Sequence, residues 1–157
     1  MPFKIFIHGL ESSNQGTKAV FFRKRYPDMI LPTFTGGLHE RMEKLEGVLS
    51  GKSDIRLVGS SFGGLMASIF AMENGSRVKN LVLLAPAINL EGIAPAGEKK
   101  ISVPVLIYHG TNDEVIPISE VEHVAGKIFT DLTFHKVEDD HFLHRTFKDI
   151  DWDTLLA

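Results

Sequence analysis

The 157-residue chain predicts an α/β fold: a three-layer sandwich with a six-stranded parallel sheet and helices on both faces. Three observations carry that reading. Short apolar runs alternate with stretches of helical period. The runs are almost continuously apolar, as strands are when a sheet is covered on both faces. Residues able to do chemistry gather just after those runs, where the C-terminal ends of parallel strands bind ligands.

The strands are expected at Phe3 to His8, Asp28 to Pro32, Ile55 to Gly59, Asn80 to Ala85, Val103 to His109 and Leu132 to Val137. The first, opening Phe3-Lys4-Ile5-Phe6-Ile7, is too short for a signal-peptide core and runs straight into a motif, so it reads as a strand. Helical patterns lie between them. Thr17 to Tyr26 is one; Arg23-Lys24-Arg25 is its wet face. Leu38 to Leu49 places Leu38, Met42, Leu45 and Leu49 on one side, and Ser61 to Asn74 carries the run from Leu65 to Met72. Ile118 to Phe129 has Ser119 and Glu122 in a capping-box arrangement. A last helix is expected after His141, carrying Phe142, Phe147 and Ile150. Pro86 to Ser102 has no period and contains Pro86, Gly92, Pro95 and Gly97, so residues 86–102 read as an irregular loop, at most a short lid.

One domain over residues 1–157 is the expectation for this length, with roughly 70% of the unfolded surface buried. A net charge of −3 gives no electrostatic case for nucleic acid or an anionic membrane as partner. The absence of cysteine excludes disulfides, thiolate metal sites and a cysteine nucleophile, and fits a reducing compartment. No stretch approaches membrane-spanning length. A cytoplasmic protein follows as the expectation, with the oligomeric state open. No helix shows an HExxH pattern, so no metal is expected.

The chemistry centres on Gly59-Ser60-Ser61-Phe62-Gly63. A GxSxG string arises by chance in roughly one chain of this length in ten to fifteen. Its placement between an apolar run and a helical one is the stronger signal, because a sharp strand-to-helix turn pushes a serine hydroxyl clear of the sheet. Ser61 therefore reads as the nucleophile, with Gly59 and Gly63 needed where strand and helix nearly touch and Gly64 relieving the same crowding. Three pieces sit at other strand ends. His8-Gly9-Leu10 can offer the Leu10 N–H beside that of Phe62, giving two donors for an oxyanion. His109-Gly110-Thr111-Asn112-Asp113 brings Asp113, able to accept from an imidazole. Asp139-Asp140-His141 brings His141, able to reach Ser61 as general base. His144 is the fallback base, and Asp139 or Asp140 the fallback acid. His8 and His109 read as structural hydrogen-bonding groups.

These motifs, with Lys18-Ala19, Leu83-Leu84-Ala85-Pro86-Ala87 and Asp113-Glu114-Val115, resemble the α/β-hydrolase superfamily, and more narrowly its small, nearly lidless bacterial serine esterases of the YqiA-like group. The resemblance spans nearly the whole chain. It implies a minimal α/β-hydrolase fold, a Ser61, Asp113, His141 triad, acyl-ester substrates and no cofactor. Leu10, Phe34, Ile88, Leu90 and Phe142 form the expected apolar wall, which suits short to medium acyl groups on a small-molecule ester. Thioester hydrolysis or acyl transfer would use the same triad. A binding module that keeps the pocket without turnover is the reading from another class.

Overall fold

Strands present alternate side chains to opposite faces. In the computed structural model, which describes residues 2–89 and 100–157, both faces are covered. Five strands, β1 (Phe3–Ile7), β2 (Ile55–Ser60), β3 (Val78–Leu84), β4 (Val105–Gly110) and β5 (Leu132–Val137), form one parallel sheet in that order. The helices are α1 (Thr17–Arg25), α2 (Leu38–Val48), α3 (Phe62–Glu73), α4 (Ile118–Ile128) and the short α5 (Trp152–Leu155). Ile5, Ile7, Leu57, Leu81, Leu83 and Ile107 pack against α2, α3 and α4. Their neighbours Phe6, Val58, Val82 and Leu84 pack the other way, against α1 and the C-terminal segment. There the Phe22 ring meets those of Phe6, Phe147 and Trp152 at centroid distances of 5.1, 5.5 and 4.9 Å. The three layers are those the sequence predicts.

The strand count is lower by one. Asp28 to Pro32 contributes an isolated parallel bridge between Ile30 and Ile5, made by Ile30 N–H to the Lys4 carbonyl (2.9 Å) and Phe6 N–H to the Ile30 carbonyl (3.1 Å). Pro27 and Pro32 bring no N–H to either end, and Asn14 Nδ2 occupies the Leu31 carbonyl at 3.1 Å. The bridge still has a topological consequence. From β1 the chain steps outward to Ile30, then returns through α2 to β2 on the other side of β1. The order reverses between β1 and β2, and such reversals open the crevice where open α/β sheets bind ligands.

Two local expectations also change. Pro117, extended at φ −62° and ψ 129°, is the cap of α4 and carries no side-chain cap bond. Proline itself stops the helix there, and Glu122 pairs with Lys136 at 2.8 Å instead of completing a capping box with Ser119. After His141 the chain does not run as one helix. Leu143 sits at φ 53°, Phe147–Asp149 is a 3-10 turn, and only Trp152–Leu155 is α-helical. The helical spacing of Phe142, Phe147 and Ile150 misleads because Phe142 points to solvent while the other two are core. Of the irregular 86–102 segment, residues 90–99, Leu90 among them, lie outside the described residues. Among the described residues no helix is long and apolar enough to cross a membrane.

Candidate active site

Ser61 joins β2 to α3 at φ 56° and ψ −119°. Such a conformation costs a non-glycine residue about 1–3 kcal/mol and survives only where its surroundings impose it. The surroundings are specific. Ser61 N–H donates to the Leu84 carbonyl (2.9 Å), and the Ser61 carbonyl accepts from Gly64 N–H and Ala87 N–H, both at 2.9 Å. A Cβ on Gly63 would lie 2.0 Å from the Ile7 carbonyl oxygen, and one on Gly59 would lie 2.4 Å from the Gly63 carbonyl oxygen. Backbone packed this closely admits no side chain. Gly64 answers a different crowding from the one expected, since a Cβ there would sit 2.7 Å from Pro86 Cβ, beyond the end of β3.

Three side chains from three strand ends converge on this turn. His141 Nε2 lies 3.2 Å from Ser61 Oγ, and His141 Nδ1 lies 2.8 Å from Asp113 Oδ2. With Nδ1–H donating to the carboxylate, Nε2 presents its lone pair to the serine hydroxyl. The Asp113 side chain is fully buried. Its Oδ1 accepts from the N–H groups of Val115 (2.9 Å) and Ile116 (2.7 Å). These two bonds give the buried oxygen its partners away from water. A second imidazole, His109, places Nε2 3.2 Å from Asp113 Oδ2 and 2.8 Å from the Ile116 carbonyl.

The segment carrying His141 is wired by carboxylates. Asp139 is buried; its Oδ2 accepts from Arg145 N–H (3.0 Å) and Thr146 N–H (2.8 Å), and its Oδ1 from Asp140 N–H (2.8 Å). Asp140 accepts from Phe142 N–H (3.1 Å) and pairs with His144 at 2.6 Å. Partial burial raises the Asp140 carboxyl, but the bonds from His144 outweigh it and hold it below its ordinary value. The fallback residues His144, Asp139 and Asp140 are thus engaged with the loop itself. Lys18 of α1 reaches across to donate to the Phe142 carbonyl at 2.7 Å. Burial lowers its ammonium pKa, and Asp140 and Asp139 pull the other way.

On the other flank, the His8-Gly9-Leu10 turn abuts the serine: a Cβ on Gly9 would be 3.3 Å from Ser61 Cβ. His8 is buried, with Nδ1 2.7 Å from the Gly9 carbonyl and Nε2 accepting from Phe34 N–H at 2.9 Å. Those partners define a neutral ring, and burial lowers its pKa, the Gly9 carbonyl opposing, with Arg41 and Lys44 adding to the depression. Phe62 is the first residue of α3, so its N–H has no intrahelical acceptor. The sequence reading missed Arg41 in α2, which is buried and donates from Nε to the Gly36 carbonyl (2.8 Å). Its guanidinium lies 5.6 Å from the Phe62 ring centroid. Nothing in the spacing of α2 distinguishes Arg41 from a solvated charge.

The proposed wall residues divide. Phe34 and Ile88 are each 1% exposed and belong to the core, so they present almost no surface to a ligand in this conformation. Phe142 is 57% exposed, and with Leu10 at 51% and Val115 at 64% it makes up the exposed large apolar side chains among the described residues. Each lies within two residues of Gly9, Asp113 or His141 in the chain. Val115 enters the sequence reading only within Asp113-Glu114-Val115 and is not among the expected wall residues. Among the described residues no group of three or more His, Cys, Asp or Glu is placed to hold a metal ion.

A family profile described as "Alpha/beta hydrolase family" matches residues 40–148. No protein of curated function matches the sequence. Solved structures similar to the chain include Est1E from Butyrivibrio proteoclasticus with ferulic acid bound, at 18% identity and a TM-score of 0.77, over 99% of this chain and 86% of that one. Mouse alpha/beta hydrolase domain-containing protein 10 matches at 20% identity and 0.76, over 99% and 91%. A monoacylglycerol lipase from Paleococcus ferrophilus matches at 13% identity and 0.74, over 98% and 92%. At these identities the likeness is one of fold.

Proposed function

Because the chain belongs to the alpha/beta hydrolase family, we propose that it is a serine hydrolase cleaving carboxylic esters with short to medium acyl groups through an acyl-enzyme. Ser61 is the nucleophile, His141 the general base and Asp113 the group that fixes the imidazole tautomer. The observation that carries the reading is the hydrogen-bonded chain from Ser61 Oγ through His141 (3.2 Å) to Asp113 (2.8 Å). The strained backbone of Ser61 supports it, since such strain concentrates at functional positions.

In this reaction His141 Nε2 takes the Ser61 proton as Oγ attacks the acyl carbonyl, and Asp113 stabilises the imidazolium that forms. The N–H groups of Leu10 and Phe62 receive the oxyanion. The proton passes from His141 to the leaving alcohol, and the same histidine then activates water to clear the acyl group. The exposed Leu10, Val115 and Phe142 side chains support an apolar ester. Est1E, whose structure holds ferulic acid, makes aryl acyl groups worth including among the substrates tried.

Replacing Ser61 by alanine removes the nucleophile, and turnover of a short p-nitrophenyl ester is expected to fall on the order of a millionfold while the thermal midpoint holds. An alanine variant that hydrolyses the ester at the wild-type rate overturns the proposal. A steep rise in kcat/KM with long acyl chains contradicts the short-to-medium preference alone.

A further inference from the structure

We infer that Lys18 is a positioning residue for the general base: from α1 it grips the peptide that closes the turn carrying His141. The role rests on His141 being the base proposed above. Asp140 to Leu143 is a four-residue turn, closed by Leu143 N–H donating to the Asp140 carbonyl at 3.3 Å, with His141 and Phe142 at its corners. The Leu143 N–H and the Phe142 carbonyl belong to one planar peptide unit. Lys18 Nζ donates to that carbonyl at 2.7 Å. The closing peptide is therefore held at both ends, by the turn through its N–H and by α1 through its carbonyl.

Leu143 shows why that grip matters. The closing peptide leads into this residue, whose φ of 53° is a left-handed conformation that leucine disfavours. Turning the peptide over would relieve the leucine, but it would also break the bond that closes the turn and release His141. The bond from Lys18 opposes that rotation. Among the described residues, every other side-chain bond to the backbone of residues 140–146 comes from Asp139 or Asp140 of the same loop. Those bonds shape the loop, whereas a bond from α1, anchored in the core by Ala19 and Phe22, places it. The lysine is also costly where it stands. Its ammonium lies 5.5 Å from the Phe147 ring centroid and 6.0 Å from that of Phe142, and burial penalises its charge, with Asp140 and Asp139 opposing. An apolar stem would pack there without that cost, so it is the donor that accounts for a lysine.

The test compares Lys18→Met, which keeps the apolar stem and loses the donor, with Lys18→Arg, which keeps a cationic donor. With a p-nitrophenyl ester, kcat is expected to fall roughly tenfold in the methionine variant and to stay within about threefold of wild type in the arginine variant. The rate at which a fluorophosphonate labels Ser61 should fall in step, since it too needs His141 beside Oγ. Proton NMR supplies a readout that lost packing alone does not move. The His141 Nδ1–H resonance should be present in wild type and the arginine variant, and broadened or gone in a methionine variant that remains folded. A methionine variant with wild-type kcat and resonance, or two variants equally impaired, overturns the inference. Nitrogen-15 NMR of the wild-type protein decides independently of how the variants fold. A Lys18 ammonium whose protons exchange more slowly than those of the solvated lysines upholds the grip, and one that exchanges as they do defeats it. Labelling of wild-type Ser61 separates the two levels: an unlabelled wild type sinks the relay itself, whereas a labelled wild type with an indifferent Lys18 sinks only the positioning role.

Discussion

The serine turn and the histidine loop deliver their side chains to one point by opposite means. Ser61 is held by exclusion: β2, α3 and the end of β1 approach so closely that Gly59 and Gly63 have no room for a Cβ, and the backbone is driven to a conformation serine does not choose. His141 is held by bonding: Asp139, Asp140 and Lys18 tie down the N–H and carbonyl groups of residues 140–146. A sterically locked turn tolerates almost no change in shape and is indifferent to salt and pH. A loop held by carboxylates tolerates changes in shape and is sensitive to which donors and acceptors remain. The nucleophile, which must present one atom at a fixed point, sits on the first. The base, which must receive and return a proton, sits on the second.

That contrast can be broken at several places. After Ser61 itself, the largest effect is expected at Asp113, whose carboxylate holds the His141 ring that meets Ser61. Asp113→Asn keeps an oxygen for the Val115 and Ile116 N–H groups and offers His141 an amide, so the protein should fold while turnover drops roughly ten-thousandfold through the wrong tautomer. Paired kcat and melting measurements check this. Gly63→Ala comes next. Its Cβ would meet the Ile7 carbonyl oxygen at 2.0 Å, and parting α3 from β1 should cost upwards of about 4 kcal/mol, read from denaturant unfolding; a loss below about 1 kcal/mol would show that the turn is not sterically locked.

Asp139→Ala tests the bonded loop. With the Arg145 and Thr146 N–H groups left without their acceptor, about 1–3 kcal/mol of stability should go, and hydrogen exchange at those two amides should rise while the Ser61 turn stays protected. The smallest effect is in pH. His8 and His109 are neutral in the fold, with pKa values below the ordinary 6.5, so below 6.5 the unfolded chain binds protons that the native one refuses. Stability from these rings is therefore present above 6.5 and lost as pH falls toward the folded values. A melting midpoint about 3 °C lower at pH 5.5 than at 7.5 is expected, and a flat profile would mean the rings accept protons in place.

Much of the fold and of the converging side chains was legible because the signals were local. Gly59 to Gly63 between an apolar run and an apolar-periodic run specifies a strand, a sharp turn and a helix in sequence. Asp113 and His141 were legible by type and by position at strand ends. What failed depended on partners distant in the chain. Asp28 to Pro32 has the composition of a strand, yet its ladder is curtailed by two prolines and by the Asn14 side chain. Ser119 and Glu122 have capping-box spacing, but Pro117 stops the helix and Lys136 claims the glutamate. Phe34 and Ile88 were right as apolar residues and wrong as exposed ones, since apolarity does not say which atoms the core will cover. His109 reads from the sequence as a structural hydrogen-bonding group, and the Ile116 carbonyl that its Nε2 meets becomes visible only when β4 and the turn after it are in place.

The central claim is that hydroxyl, imidazole and carboxylate act as one unit at Ser61. Treating wild-type protein and the Ser61→Ala variant with a fluorophosphonate and mapping the adduct by peptide mass spectrometry tests it most directly. A single adduct on Ser61 in the wild type, and none in the variant, is the expected result. A wild type that stays unmodified while it hydrolyses esters, or a variant that is modified elsewhere and keeps its turnover, would contradict it.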